Sequence, residues 1–164
     1  MGSYKEIIQS WFEEELIIPD IEATSFEEVL KILSESLHRK GYVKDGFYEK
    51  LIERERNFPT GLPVEGDVKA AIPHASPEYV NKSAIAVGIL KKPVTFVEMG
   101  TRDRFVECRI VFLLAIKDSK RHLEVLKRLM DFFVNSGNLE RIVKARDRKV
   151  ILHFILDNLN GDGR

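Results

Sequence analysis

Apolar residues recur along this chain with two periods, and these periods divide it into helices and strands. Spacings of three and four residues predict amphipathic helices with their caps and stops over 4–13, 24–41, 45–57, 118–137, 138–145 and 147–158. Alternating or unbroken apolar runs predict strands at 16–18, 68–72, 83–90, 94–97 and 106–116. The last run, Val106 to Ile116, is the most apolar and predicts a central strand covered on both faces.

Cap, stop and breaker residues set the predicted ends of these elements. Ser25, with Glu28 three residues later, predicts the start of the second helix, and Gly41 predicts its stop. Asp45 is expected to cap the third helix, and Asp118 or Ser119 the long fourth one. Prolines are expected to end or close strands at Pro19, Pro73 and Lys91-Lys92-Pro93.

The order of these elements predicts the fold class. Helices come first, then strands alternating with helices, then helices again, which indicates an α/β or α+β domain with helices flanking a mixed sheet. There is no internal repeat, and no linker long enough to divide the chain. We therefore expect a single domain spanning residues 1–164.

Composition narrows the possible partners. Lys plus Arg and Asp plus Glu both number 26, so the formal net charge of zero predicts no nucleic-acid partner. No apolar run reaches the roughly 18 residues that span a bilayer, and no secretory signal opens the chain. The single cysteine, Cys108, is expected to be a buried small hydrophobe, and the absence of CxxC or HExxH predicts no metal site. A cytoplasmic protein without direct membrane insertion is expected.

The first candidate for a catalytic residue is His74, which follows the predicted strand that ends at Pro73. Ser76-Pro77 is typical of a helix start, so His74 is expected between a strand end and a helix whose free N–H groups favour an anion. A neutral imidazole there is a nucleophile suited to accepting a phosphoryl group. The alternative is a turn histidine that hydrogen-bonds only its own loop.

A second histidine, His122, lies in the first turn of the helix that follows the central strand. If the strands before His74 and His122 run in the same direction, both histidines lie at one edge of the sheet and could share an anion. An ordinary exposed helix residue is an equally good interpretation of His122. The other two histidines have sufficient structural explanations. His38 is expected in the last turn of the second helix, and His153 within the final helix.

Three blocks of the sequence, Arg54 to Gly61, Ala71 to Ala75 and Asp118 to Leu123, carry a family resemblance. They resemble the enzyme IIA domains of the bacterial sugar phosphotransferase system (PTS), in the fructose/mannitol superfamily. The Asn-Phe-Pro-Thr-Gly loop is most similar to galactitol-type members. The resemblance extends over a core of about 16–156 and implies the mannitol/fructose-type IIA fold.

The resemblance implies a phosphotransferase component without a cofactor. His74 would accept a phosphoryl group from the phosphocarrier HPr and pass it to a sugar-specific enzyme IIB, which phosphorylates the sugar as IIC transports it through the membrane. His122 would support the phosphoryl group, and Arg54 is the family arginine. Two departures, Gly61-Leu62-Pro63 and Ala75, stand where the family usually has Gly-Ile-Gly and a glycine.

The residue chemistry agrees with this implication. Phosphoryl transfer needs positioning and charge neutralisation, and the planar fork of Arg54 suits a phosphate. Thr60 either offers a hydroxyl to the phosphoryl group or stabilises its turn. An apolar rim for HPr is expected around His74, with Phe58, Leu62 and Tyr79 as candidates. The alternative function is a regulatory interaction module that uses the phosphorylation state of His74 as a signal to a partner protein.

Overall fold

In the part of the chain that the structure describes, a mixed sheet of five strands lies between two layers of helices. The computed structural model describes residues 4–135 and 137–159, so residues 1–3, 136 and 160–164 of the expected 1–164 domain lie outside the description. In the described residues the strands are β1 (Ile17–Ile21), β2 (Gly61–Leu62), β3 (Lys69–Ala71), β4 (Ala84–Val97) and β5 (Phe105–Ala115). The α-helices are α1 (Tyr4–Gln9), α2 (Phe26–Arg39), α3 (Phe47–Asn57), α4 (Ser119–Val134), α5 (Asn138–Ala145) and α6 (Arg148–Asn158).

The sheet has the order β1-β4-β5-β3-β2, with the most apolar strand at its centre. β5 runs antiparallel to β4 and parallel to β3, while β1 is parallel to β4 and β2 antiparallel to β3. This confirms the single mixed-sheet α/β domain. Strand β5 is buried on both faces from Ile110 to Ala115, as its apolar run predicted, whereas Phe105 and Glu107 at its start are exposed.

Alternate residues of β5 enter two separate hydrophobic clusters. Ile110, Phe112 and Leu114 pack under α1, α4, α5 and α6, where the Phe112 ring meets the ring of Phe133 edge-on at 5.2 Å. Val111, Leu113 and Ala115 pack under α2 and α3. Cys108, fully buried as expected, also packs there although its number has the parity of Ile110, because the pairing of β5 with β3 shifts register between Cys108 and Ile110. From Ile110 to Ala115, the period of two therefore divides the strand between two cores.

Local signals set most of the element ends. The Ser25 side chain accepts a hydrogen bond from the Glu28 backbone N–H at 3.2 Å, which confirms the predicted start of α2. Gly41 follows α2 with a φ of 80°, the left-handed conformation that glycine adopts without strain. Asp118 caps α4 by accepting from the Lys120 N–H at 2.9 Å.

Several predicted ends were wrong, and the first helix, predicted over 4–13, ends at Gln9. β1 continues through Pro19 because it is an edge strand, where a missing N–H is tolerated. Lys91-Lys92-Pro93 does not close a strand, because β4 passes them as a bulge while still paired with β5. Gly46, not Asp45, is the N-cap residue of α3, and Asp45 instead lies 2.7 Å from the His38 ring. After Ser76 there is only a 3-10 turn, Pro77–Tyr79.

Among the described helices, none has the combination of length and hydropathy that a bilayer-spanning segment requires.

Candidate functional site

Parallel pairing of β3 with β5 brings His74 and His122 together. His74 forms a bridge beside Leu114, and the Leu114 N–H donates to the Pro73 carbonyl at 2.9 Å. His122 lies in the first turn of α4, directly after β5. The two imidazole rings are 4.7 Å apart between centroids and inclined at 65°. The strands do run in the same direction, as the shared-edge hypothesis requires.

The His74 ring is held by its own strand end. Its Nδ1 lies 3.0 Å from the Ile72 carbonyl oxygen, which can only accept a hydrogen bond. The proton of the neutral ring therefore lies on Nδ1, and Nε2 keeps its lone pair. Such a contact to a backbone carbonyl is the orientation that a nucleophilic histidine needs.

Burial and nearby positive charge keep both histidines neutral. Burial lowers the pKa of His74 to about 4, and the fields of His122 and Arg54 act in the same direction, against the Ile72 hydrogen bond. The pKa of His122 is also lowered, by burial and by Arg54. Near pH 7 the pair is thus two uncharged imidazoles, one of which has a free lone pair on an oriented nitrogen.

The expected anion-binding helix beside His74 is absent. The 3-10 turn at Pro77–Tyr79 has only three residues, and the Ser76 side chain makes no capping hydrogen bond. So short a turn has almost no dipole, because a macrodipole needs several aligned peptide units. The positive charge near His74 comes instead from Arg54.

Arg54 projects from the last turn of α3 into the cavity that His74 lines. The cavity has a volume of about 390 Å³, and Thr60 and Phe58 contribute to its wall. The guanidinium carbon lies 5.1 Å from the centre of the Phe58 ring, a cation–π contact that orients the side chain. The predicted set of His74, His122, Arg54 and Thr60 therefore converges on one place.

Thr60 uses its polar groups internally. Its hydroxyl donates to Glu55 Oε1 at 2.9 Å, and its backbone N–H donates to Glu55 Oε2 at the same distance. Both residues are buried. Of the two roles predicted for Thr60, these contacts favour stabilisation of the turn.

Glu55 is the site residue that the sequence interpretation missed. It belongs to the charged run Glu53 to Arg56, which is typical of a solvated helix face, yet Glu55 is only 5% exposed. Burial raises the pKa of its carboxyl to about 7, while the bonds from Thr60 and the charge of Arg54 oppose the rise. A signal existed, because Glu55 lies four residues after the buried Leu51 and therefore on the apolar face of α3.

A second wall of the cavity comes from the β4–β5 hairpin loop. Met99, Gly100, Thr101 and Arg102 line it, and the Met99 N–H donates to the Gly61 carbonyl at 2.8 Å. The sequence predicts a loop here but contains no local signal for its contact with β2, since the contact joins segments about forty residues apart.

Exposed apolar side chains occur beside the cavity, but not at all the expected positions. Phe58 and Met99 line the cavity and are 62% and 40% exposed, and Leu123, which follows His122, is 76% exposed. Tyr79 is half-buried, and Leu62 was predicted wrongly, because it lies in the hydrophobic core at 4% exposure.

The fold and the cavity define a class: a small α/β domain that presents two neutral histidines and an arginine at one edge of a mixed sheet. The chain belongs to the family of phosphoenolpyruvate-dependent sugar phosphotransferase system EIIA 2 domains, whose family model matches residues 10–158. It is therefore an enzyme IIA component, a phosphotransferase component of that system.

Its relatives include proteins specific for two sugar alcohols. The mannitol-specific phosphotransferase enzyme IIA component of Halalkalibacterium halodurans is 31% identical over 137 residues, which are 82% of this chain and 86% of that protein. The galactitol-specific EIIA component of Escherichia coli K12 is 27% identical over 135 residues, 82% of this chain and 89% of that protein. Each alignment covers more than four fifths of both proteins, which indicates a shared domain rather than a shared motif.

Solved structures have the same fold. The complex of enzyme IIAMTL and phosphorylated enzyme IIBMTL from Escherichia coli contains a chain that superimposes with a TM-score of 0.71 at 22% identity, covering 89% of this chain and 99% of that one. This likeness confirms the IIA fold predicted from the sequence.

Proposed function

We propose that this chain accepts a phosphoryl group from phospho-HPr on Nε2 of His74 and passes it to a sugar-specific enzyme IIB in the cytoplasm. The observation that carries the proposal is the bond between His74 Nδ1 and the Ile72 carbonyl, because it aims a free lone pair into the open cavity. The low pKa of His74 keeps that lone pair available at neutral pH.

The transfer is an exchange between two histidines. The Nε2 lone pair attacks phosphorus, the N–P bond to the HPr histidine breaks, and its electron pair returns to the departing nitrogen. A new N–P bond then joins His74, whose Nδ1–H keeps donating to Ile72 and stabilises the positive charge that the ring gains. Bonds of one type break and form, so little net free energy is needed.

His122 and Arg54 would hold the phosphoryl oxygens. A neutral His122 ring 4.7 Å from His74 can donate one hydrogen bond to a phosphoryl oxygen without drawing off the attacking lone pair. Arg54, which lines the same cavity as His74, offers a charged planar fork that suits a phosphate.

Exposed apolar side chains support a docking surface beside the cavity. HPr and IIB would dock in turn on Phe58 and Met99, which line the cavity, and on Leu123, which follows His122. The Escherichia coli structure pairs a IIA domain with phosphorylated IIB, which supports IIB as the acceptor. IIC would be the membrane partner of IIB, and galactitol or a related sugar alcohol the substrate, since relatives are specific for mannitol and galactitol.

The test is reconstitution with enzyme I, HPr and labelled phosphoenolpyruvate. Wild type is compared with His74→Ala, His122→Ala and the matched control His153→Ala, which removes an exposed histidine of α6. We expect label on wild type and on the control, none on His74→Ala, and slower labelling of His122→Ala. The label should be lost in acid and kept in base, as a phosphohistidine requires.

A chase with purified IIB separates the carrier from the regulatory alternative. Rapid loss of label from IIA to a galactitol- or mannitol-type IIB is expected of a carrier. Labelled protein that transfers to no IIB would favour the signalling module, and continued labelling of His74→Ala would refute the assignment of His74.

A further inference from the structure

A second cavity lies where β1 and β4 meet helices α5 and α6. Its volume is about 410 Å³, and it shares no lining residue with the cavity of His74. Arg109, which lines it, lies five residues before the partner of His74 in β5, a separation of roughly 17 Å along a strand. The proposed phosphoryl transfer uses none of its residues.

The lining of this second cavity is strongly basic. Lys91, Lys92, Arg109 and Arg146 all contribute to it, and among the described residues Asp20 is the one acidic residue of the lining. Lys91 pairs with Glu22 at 2.9 Å, whereas the other three cations make no ion pair within residues 4–135 and 137–159. In a chain of zero net charge, these four cations face two carboxylates, Asp20 and Glu22, whose charge also interacts with Lys92. The remaining local excess of positive charge favours an anion.

Arg109 is the most informative of the four. It lies half-buried on the central strand, and its Nε–H donates to the Leu90 carbonyl at 2.7 Å. That bond uses one of the five N–H donors of the guanidinium. No carboxylate among the described residues forms an ion pair with Arg109. A partly buried cation is costly unless an anion compensates it, and the planar fork of arginine suits a phosphate.

Two lining residues of this second cavity have an unusual backbone conformation. Within the described residues, two that are not glycine have positive φ, Asp20 at 58° and Arg146 at 63°. Both line this cavity. Such conformations are uncommon for residues other than glycine and concentrate at ligand sites, where they hold side chains in place. Arg146 adopts its conformation as the C-cap residue of α5, which directs the chain into the cavity wall.

We propose that this cavity binds a small phosphorylated metabolite. The phosphate would lie among Lys92, Arg109 and Arg146, and the carbon part would contact the apolar wall that Ile89 and Ile151 provide. The site is an effector site separate from His74, and it does not depend on the proposed function.

The test uses pyrophosphate as the probe at constant ionic strength. Backbone amide shifts are followed by NMR in wild type, in Lys92→Gln/Arg146→Asn, and in a control, Lys31→Gln/Lys127→Gln, that removes two charges from exposed sites elsewhere. Lys92 and Arg146 are exposed, so their loss should leave the core intact, and asparagine tolerates the positive φ of position 146. Phosphoryl acceptance by His74 is assayed separately in each variant.

We expect saturable shifts at residues 20, 90–92, 109 and 146, at least tenfold weaker binding in the cavity variant, and unchanged binding in the control. Absence of saturation, or equal weakening in both double variants, would overturn the proposal. Co-sedimentation of wild type with phosphatidylglycerol vesicles, lost only in the cavity variant, would identify a lipid headgroup as the source of the phosphate and overturn a soluble ligand.

Discussion

Replacing Glu55 with glutamine should make the protein more stable at alkaline pH, although it removes an acceptor from a hydrogen-bonded pair. Glu55 accepts from both the N–H and the hydroxyl of Thr60, and burial raises the pKa of its carboxyl to about 7. Glutamine can also satisfy Thr60, because its amide oxygen accepts from the N–H and its NH₂ donates to the hydroxyl.

The magnitude follows from the two pKa values. The carboxyl of Glu55 has a pKa of about 7 in the folded protein and an ordinary value of 4.5. This difference corresponds to roughly 3 kcal/mol of unfolding free energy. Because the folded-state pKa is the raised one, the contribution is fully present below pH 4.5 and is lost as pH rises through 7. The glutamine of Glu55→Gln is neutral at all pH values, so the variant does not lose this part of its unfolding free energy as pH rises.

The assay is urea unfolding between pH 4.5 and 8.5, followed by the fluorescence of the single tryptophan, Trp11, which is 8% exposed. At pH 4.5 the two proteins should have similar free energies of unfolding. At pH 8.5 the variant should be more stable by roughly 3 kcal/mol, or about 6–12 °C in Tm for a chain of this size. Titration of His74 is common to both proteins and cancels in the difference.

Glu49→Gln, which neutralises an exposed carboxyl on the same helix, is the matched control and should show no such divergence. A stability difference between wild type and Glu55→Gln that is independent of pH would refute the reasoning. So would a variant that becomes less stable than wild type as pH rises.

Three further predictions concern the residues that position the site. Gly61→Ala places a Cβ 2.8 Å from the Val97 carbonyl oxygen, so it should cost about 1–3 kcal/mol in urea unfolding and slow transfer by displacing the hairpin wall; unchanged stability would contradict the close approach. Asp118→Ala removes the cap of the helix that carries His122 and should cost about 1 kcal/mol, whereas Asp118→Asn should cost much less. Arg54→Lys keeps the charge but loses the fork, so labelling of the protein by phospho-HPr should slow about tenfold with no change in Tm; an equal rate would mean that charge alone suffices.

Much of the fold was predictable because it depends on local and periodic signals. α5 was predicted with its observed bounds, and the cap at Ser25 and the buried strand β5 were correct. Errors occurred where context overrode a local rule. Pro19 is tolerated because its strand is at the sheet edge, and β4 continues past Pro93 because β5 holds both halves of it in register.

The sequence allowed candidate site residues to be named, but it did not predict most of the contacts between them. His74 and His122 could be placed after strand ends, and the family resemblance identified Arg54. The burial of Glu55 and the hairpin wall at Met99 were not predicted, since both depend on which segments pack together.

By itself, the sequence determined which residues could carry the chemistry: an imidazole after a strand that proline ends, a second one after the central strand, and an arginine ahead of both. Only the tertiary structure decided that β3 and β5 are parallel neighbours, which brings the two rings to 4.7 Å, and that burial keeps them neutral. The physical reason is that strand ends, caps and periodicity are properties of neighbouring residues. Desolvation and proximity arise only when distant segments exclude water together.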